Sequence, residues 1–298
     1  MAERLPETGP NSHGWPGRLL ECCHGYTSNA LRSCAAAQPR LVNLHQLQEN
    51  FESLAAEDPL WTVLSDDAKR GGKWDLEEFY ATGRAVIDDL ESRLDKLAKP
   101  LGGGTAIDFG CGVGRLTFPL SQRFRTCYGI DISRSMVEFA STQKERGPNC
   151  TFIKNTTTRL HWLENASIDL IYSAIVFQHI APRYTREYLK EFSRLLKPGG
   201  LLVFQLPSHL DPDYPENQKP FRLLRKRLFY KLKVLKQRIA KILPFIRSEP
   251  FFEMNAIHRD RLAPFLREQC GLEVLDQQDF PAAGLAWNSY LYITQKGS

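Results

Sequence analysis

The sequence predicts an α/β protein built on an open, mainly parallel sheet with helices on both faces. Three observations carry this. Short apolar runs recur near 105–109, 126–130, 150–154, 169–173 and 201–206; helical patterns lie between them near 113–124, 134–146 and 183–197; and the first run enters a Gly110-x-Gly112-x-Gly114 turn.

Residues 1–40 have no sustained periodicity and read as a flexible leader. Apolar positions over 41–64 suggest a helical extension, and 61–74 reads as a mixed loop. Asp75 and Glu78 form a capping-box pattern that opens a long amphipathic helix. Its stripe runs through Leu76, Phe79, Tyr80, Val86, Ile87, Leu90, Leu94 and Leu97, and Pro100 and Gly102-Gly103-Gly104 end it. Lys197-Pro198-Gly199-Gly200 stops the helix near 183–197. A basic helical insertion occupies 208–250, after which the alternation resumes with a helix near 259–270 and strands near 272–277 and 288–294.

The chain has 298 residues, 42% hydrophobic and 24% charged, enough for one large core. It lacks an eighteen-residue apolar run and a secretory leader, so the reading is cytoplasmic, with peripheral membrane contact as its extension. Its seven cysteines are scattered without a disulfide framework, and Cys22-Cys23-His24 with Cys34 has no paired C-x-x-C to make a metal site. No metal is expected. Residues 217–247 hold eleven Lys or Arg and no acid, leaving 28 basic against 34 acidic residues elsewhere. The positive charge is therefore a local device, and a general nucleic-acid binder is disfavoured.

A strand followed by Gly110-x-Gly112-x-Gly114 lets backbone approach a ligand closely. Asp131, at the end of the second run, can accept two hydrogen bonds from a ribose diol. Arg115 stands where a dinucleotide fingerprint has its third glycine, and Asp108 precedes the loop, where a carboxylate suits an ammonium group.

Ala106-Ile107-Asp108-Phe109-Gly110-Cys111-Gly112-Val113-Gly114-Arg115 resembles the first motif of the Rossmann-like (class I) S-adenosylmethionine-dependent methyltransferases. Ile130-Asp131-Ile132-Ser133, Ile168-Asp169-Leu170-Ile171-Tyr172-Ser173 and Leu195-Leu196-Lys197-Pro198-Gly199-Gly200-Leu201-Leu202 resemble later motifs in the same order. The resemblance implies a seven-stranded sheet with the last strand antiparallel, a methyltransferase domain over 41–298 and a cofactor-binding core over 75–206. It also implies S-adenosyl-L-methionine contacts at Asp108, Gly110, Cys111, Gly112, Gly114, Arg115, Asp131, Ile132 and Ser173. Many relatives carry Asp after strand three; here the stretch reads Asn155-Thr156-Thr157, and these three are the adenine candidates.

Methyl transfer from a sulfonium needs positioning more than a nucleophilic side chain. His179 is a candidate general base titrating near 6.5, or else a packing residue beside the cofactor, and His209 is a weaker candidate. Trp74, Phe79, Tyr80 and Thr82 form a lid or pack in the core; Trp287, Tyr290 and Tyr292 line the acceptor pocket or are core. The expected activity is methylation of a small-molecule or lipid-like acceptor at oxygen, nitrogen or carbon. The alternatives are a cofactor-binding pseudoenzyme or scaffold, and a methyltransferase acting on a macromolecule.

Phe221, Leu224, Leu228, Leu232, Leu235, Ile239 and Ile242 recur at helical spacing among the cations of the insertion. Two readings are open. The stripe is buried on the domain as a lid with its cations in water, or the lid also docks through 219–247 on an anionic membrane surface or an acidic carrier protein.

Overall fold

The computed structural model describes residues 43–219, 222–243 and 250–297. The expected leader, with Cys22, Cys23, His24 and Cys34, lies outside them.

Seven strands form one sheet in the order β3-β2-β1-β4-β5-β7-β6. They span β1 Gly103–Phe109, β2 Phe124–Asp131, β3 Cys150–Lys154, β4 Ile168–Ser173, β5 Leu196–Leu210, β6 Leu272–Asp279 and β7 Trp287–Lys296. β1 to β5 pair in parallel, and β7 runs antiparallel to both β5 and β6. The strands read as apolar runs because both faces of the sheet are covered. Ile107, Phe109, Ile171, Leu202 and Phe204 face one core; Ala106, Leu170, Tyr172, Leu201 and Val203 face the other. Strand order reverses at β1, between β2 and β4, so the loops leaving those strands splay apart into a crevice.

Helix α3 (Leu76–Lys96) follows its predicted pattern: the Asp75 carboxylate accepts the Glu78 N–H, and Phe79, Tyr80, Val86, Ile87, Leu90 and Leu94 are buried. The extension over 41–64 is not one helix but two, α1 (Leu44–Glu57) and α2 (Pro59–Val63). Pro59 has no N–H to continue α1, and Asp58 instead accepts the Trp61 N–H as the cap of α2. The same buried carboxylate accepts the N–H groups of Gly71 and Gly72, tying the following loop down.

The helix expected over 113–124 is only α4 (Thr117–Ser121). Gly110, Gly112 and Gly114 all have positive φ, so the chain is still in a left-handed loop where the pattern begins. The remaining helices are α5 (Arg134–Thr142), α6 (Pro182–Leu195), α7 (Arg222–Ile242) and α8 (Arg259–Cys270). The Lys197-Pro198-Gly199-Gly200 turn is absorbed into β5 with a shift of register against β4. No helix among the described residues is long and apolar enough to cross a membrane.

Helix α7 reverses the expected lid. Leu228, Leu232, Leu235, Ile239 and Ile242 point outward, while Val234 and Gln237 are its buried contacts. Gln237 donates to the Asn50 side chain of α1 at 2.9 Å, and Asn50 donates in turn to the Phe251 carbonyl.

Candidate active site

A cavity of about 330 Å³ opens at the carboxyl ends of β1, β2 and β4. It brings together nine of the predicted residues: Asp108, Gly110, Cys111, Gly112, Arg115, Asp131, Ile132, Asn155 and His179. Gly114, Thr156, Thr157 and Ser173 are not on its wall. A Cβ at Gly114 would strike Phe118 and Phe152, so that glycine serves packing. Thr156 and Thr157 are exposed, and Thr157 closes its own loop by donating to the Arg159 carbonyl. Ser173 donates to the Phe109 carbonyl, tying β4 to β1.

Asp131 is held by backbone at the cavity wall. Its Oδ2 accepts the Gly112 N–H at 2.9 Å and its Oδ1 the Ser133 N–H at 2.8 Å, and the carboxylate keeps further acceptor capacity. Burial raises its pKa, opposed by the backbone N–H groups of Ser133, Gly112 and Ile132. Asp108 lies deeper, accepting the Thr117 hydroxyl at 2.6 Å; burial pushes its pKa up to about 7. The arrangement both orders the turn and leaves a carboxyl group on the cavity wall. Arg115 is buried beside the loop, and its Nε has no hydrogen-bond partner among the described residues.

The glycine loop is fitted between neighbours. A Cβ at Gly110 would stand 2.2 Å from Val176 Cγ2, and one at Gly112 would stand 2.4 Å from Val63 Cγ2. From beneath, Tyr80 donates to the Val113 carbonyl and Arg115 reaches Thr82. Tyr80 and Thr82 therefore support the loop from the core side, with Phe79 packed on Tyr80 and Trp74 on Phe79; none of the four lines the cavity. Trp287, Tyr290 and Tyr292 are absent from the wall as well. His209 also lies off it, beside Ser208, Asn288 and the His258 ring.

Pattern reading missed the cover. Leu44, Leu47 and Phe51 of α1 and Thr62 and Val63 of α2 close one side, and Phe252 and Phe280-Pro281-Ala282 close another. The cover is latched by Glu52, whose carboxylate accepts from Ser133 Oγ, Arg134 N, Ser135 N and Ser135 Oγ at the start of α5. Burial pushes the Glu52 pKa up, and the four hydrogen bonds outweigh it, leaving the group below its ordinary range. Helical periodicity over 41–64 was legible; its destination was not.

Ile175, at the cavity, has φ +64, a left-handed conformation that a β-branched residue enters only under constraint. Its N–H donates to Gln205 Oε1, which holds it there. His179 sits between Phe51 and Phe252, ring centroids 5.8 and 5.0 Å away. Burial pushes its pKa down to about 4, against a small opposing effect of the Glu253 backbone. The expected titration near 6.5 does not survive that burial. Among the described residues no cluster of three metal-ligating side chains occurs.

The two carboxyl groups on the cavity wall fit an adenosyl amino acid: Asp131 can accept from a ribose and Asp108 can face an ammonium. Residues 107–204 match the family model described as "Methyltransferase domain". The chain is 26% identical over 202 residues to an uncharacterized methyltransferase of Bacillus cytotoxicus, a match covering 66% of this chain and 86% of the relative. It is 33% identical over 121 residues to one of Anoxybacillus flavithermus, covering 41% of this chain and 55% of the relative. Among solved structures it resembles the magnesium protoporphyrin IX methyltransferase of Synechocystis with bound S-adenosylhomocysteine, at TM-score 0.54 and 16% identity, covering 86% of this chain and 100% of that one. It also resembles a Haemonchus contortus phosphoethanolamine N-methyltransferase, at TM-score 0.51 and 14% identity, covering 88% and 51%.

Proposed function

The chain belongs to the class I S-adenosylmethionine-dependent methyltransferases, and from that premise we propose that it methylates a small, largely apolar or lipid-like acceptor at oxygen, nitrogen or carbon. It is an enzyme, and S-adenosylmethionine is its methyl donor. The observation that carries the acceptor reading is the cover: Phe51, Phe252, Val176 and Ala282 give the cavity an apolar wall that α1 and α2 close over. An apolar wall closed over by α1 and α2 favours a small acceptor over a macromolecular chain. For a lipid-like acceptor, the basic segment 219–247 supplies attraction to an anionic lipid surface or an acidic carrier.

When bound, the donor supplies a methyl group on a sulfonium, an already activated leaving group. In this reading Asp131 accepts from the ribose hydroxyls, Asp108 faces the ammonium group, and Asn155 is nearest the adenine. Phe51 and Phe252 exclude water and hold the acceptor against the reacting carbon, so catalysis comes chiefly from orientation. His179 enters as a wall residue held by both rings rather than as a base, because burial leaves it neutral and weakly basic at neutral pH.

The test is transfer of labelled methyl from S-adenosylmethionine into fractionated small-molecule and lipid extracts. Label in an apolar low-mass fraction supports the proposal. Label confined to protein or nucleic acid overturns it.

A further inference from the structure

We propose that the outward face of α7 docks on the surface of an anionic lipid bilayer, with its apolar stripe among the acyl-chain boundary and its lysines at the headgroups. This extends the partner reading above to one occupant. Leu228, Leu232, Leu235 and Ile242 are 58%, 56%, 52% and 78% exposed, an amount of aliphatic surface that a helix with an available core would bury. These residues recur on one side of the helix over more than three turns, opposite the buried Gln237. They form a ridge, not scattered exposure.

Charge selects the occupant. Lys231 and Lys236 are exposed and flank the ridge, roughly 60–80° to either side of it at 3.6 residues per turn. The helix as a whole carries nine Lys or Arg and no acid. Ammonium groups on flexible stems beside an aliphatic ridge match a bilayer, where the stems reach up to phosphates while the ridge enters hydrocarbon. A nucleic acid offers phosphates but no receptor for the ridge, and a second copy of this helix would bring two strongly basic faces together.

The inner side of α7 gives docking a consequence for the cavity. Gln237 bonds to Asn50 of α1, Lys233 lies 5.8 Å from the Phe251 ring centroid, and Phe51 and Phe252 beside them line the acceptor wall. A bilayer under α7 would therefore lie next to the covered end of the site.

The experiment is co-sedimentation of the full chain with vesicles of phosphatidylcholine alone or mixed with phosphatidylserine, without acceptor, so that its failure is separate from failure of the methyl-transfer reading. The wild type should bind the mixed vesicles at low salt and the neutral ones far less, with about fivefold lost for each cation removed. The variant Leu232→Ser/Leu235→Ser/Ile239→Ser should lose at least tenfold in binding, while Lys231→Gln/Lys236→Gln should lose binding chiefly at low salt. Unchanged S-adenosylhomocysteine binding and thermal midpoint in both show that the fold is intact. Absence of binding by the wild type, equal binding to neutral vesicles, or a serine variant that binds as the wild type does would each overturn the proposal; the last outcome would mark a plain polyanion site such as one for nucleic acid.

Discussion

Gln178 Nε2 stands 3.1 Å from His179 Nε2, and this contact fixes the histidine tautomer. The direction is anchored in a backbone group that cannot be flipped: the Ile175 N–H donates to Gln205 Oε1, so Gln205 Nε2 must point at Gln178 Oε1 and Ser289 Oγ. Gln178 then presents its amide nitrogen, a pure donor, to His179. Nε2 is the acceptor and the proton sits on Nδ1.

Nitrogen NMR of His179 should show an Nδ1–H ring that stays neutral down to about pH 4. Turnover should accordingly lack an inflection near 6.5 from this residue. The sign of the stability effect follows from the depressed pKa: the unfolded chain takes up its proton near 6.5 and the folded chain near 4, so stability falls as pH drops through that window, by on the order of 3 kcal/mol at the limit. Gln178→Glu puts an acceptor opposite Nε2 and should raise the histidine pKa, whereas Gln178→Met should not. An Nε2–H ring in the wild type contradicts the chain of donors.

Asp108 should couple cofactor affinity to pH. Its carboxyl group is half protonated near pH 7 because burial disfavours the charge. An ammonium group bound beside it would favour ionisation, so affinity for S-adenosylhomocysteine should rise with pH up to about 7, by at most about tenfold per unit, and then level off. Calorimetry in buffers of different ionisation enthalpy should detect proton release below that point. Asp108→Asn should flatten the profile; a profile left unchanged would place the ammonium elsewhere.

Gly83→Ala tests how tightly the loop is seated. The change should favour the helix by up to about 1 kcal/mol. A Cβ there would stand 2.0 Å from the Arg115 carbonyl oxygen, which is backbone and cannot turn aside. Overpacking of about 1–3 kcal/mol should win. The thermal midpoint should drop by several degrees and cofactor affinity should fall with it, since the displaced group belongs to the glycine loop. A variant more stable than the wild type would mean the loop is not held by α3.

Glu52→Gln should loosen the cover without unfolding the sheet. Four donors at the start of α5 converge on that carboxylate, and a cap of this kind is worth about 0.5–2 kcal/mol. Because the Glu52 pKa is lowered, its contribution is present above the ordinary value of 4.5 and is lost as pH falls below it. Hydrogen exchange over 44–57 should accelerate and cofactor release should quicken, while exchange in β1 and β4 stays unchanged. Equal acceleration across the sheet would show a global loss instead.

The sequence by itself determined what depends on short spacing. Glycines at 110, 112 and 114, Asp131 closing the next strand, and the stripe of α3 are local patterns whose geometry follows from backbone sterics and helical period. Tertiary structure decided what depends on which body faces which. Periodicity over 221–242 gave an apolar face but no direction for it; Val234 and Gln237 are buried on the inner side, and Gln237 bonds to Asn50, while the ridge faces outward. It likewise decided that α1 covers the cavity, because the partners of Glu52 lie 81 to 83 residues along the chain. His179 changed character for the same reason: its place after β4 was readable, but the Phe51 and Phe252 rings that strip its water come from distant segments, and desolvation is set by neighbours in space.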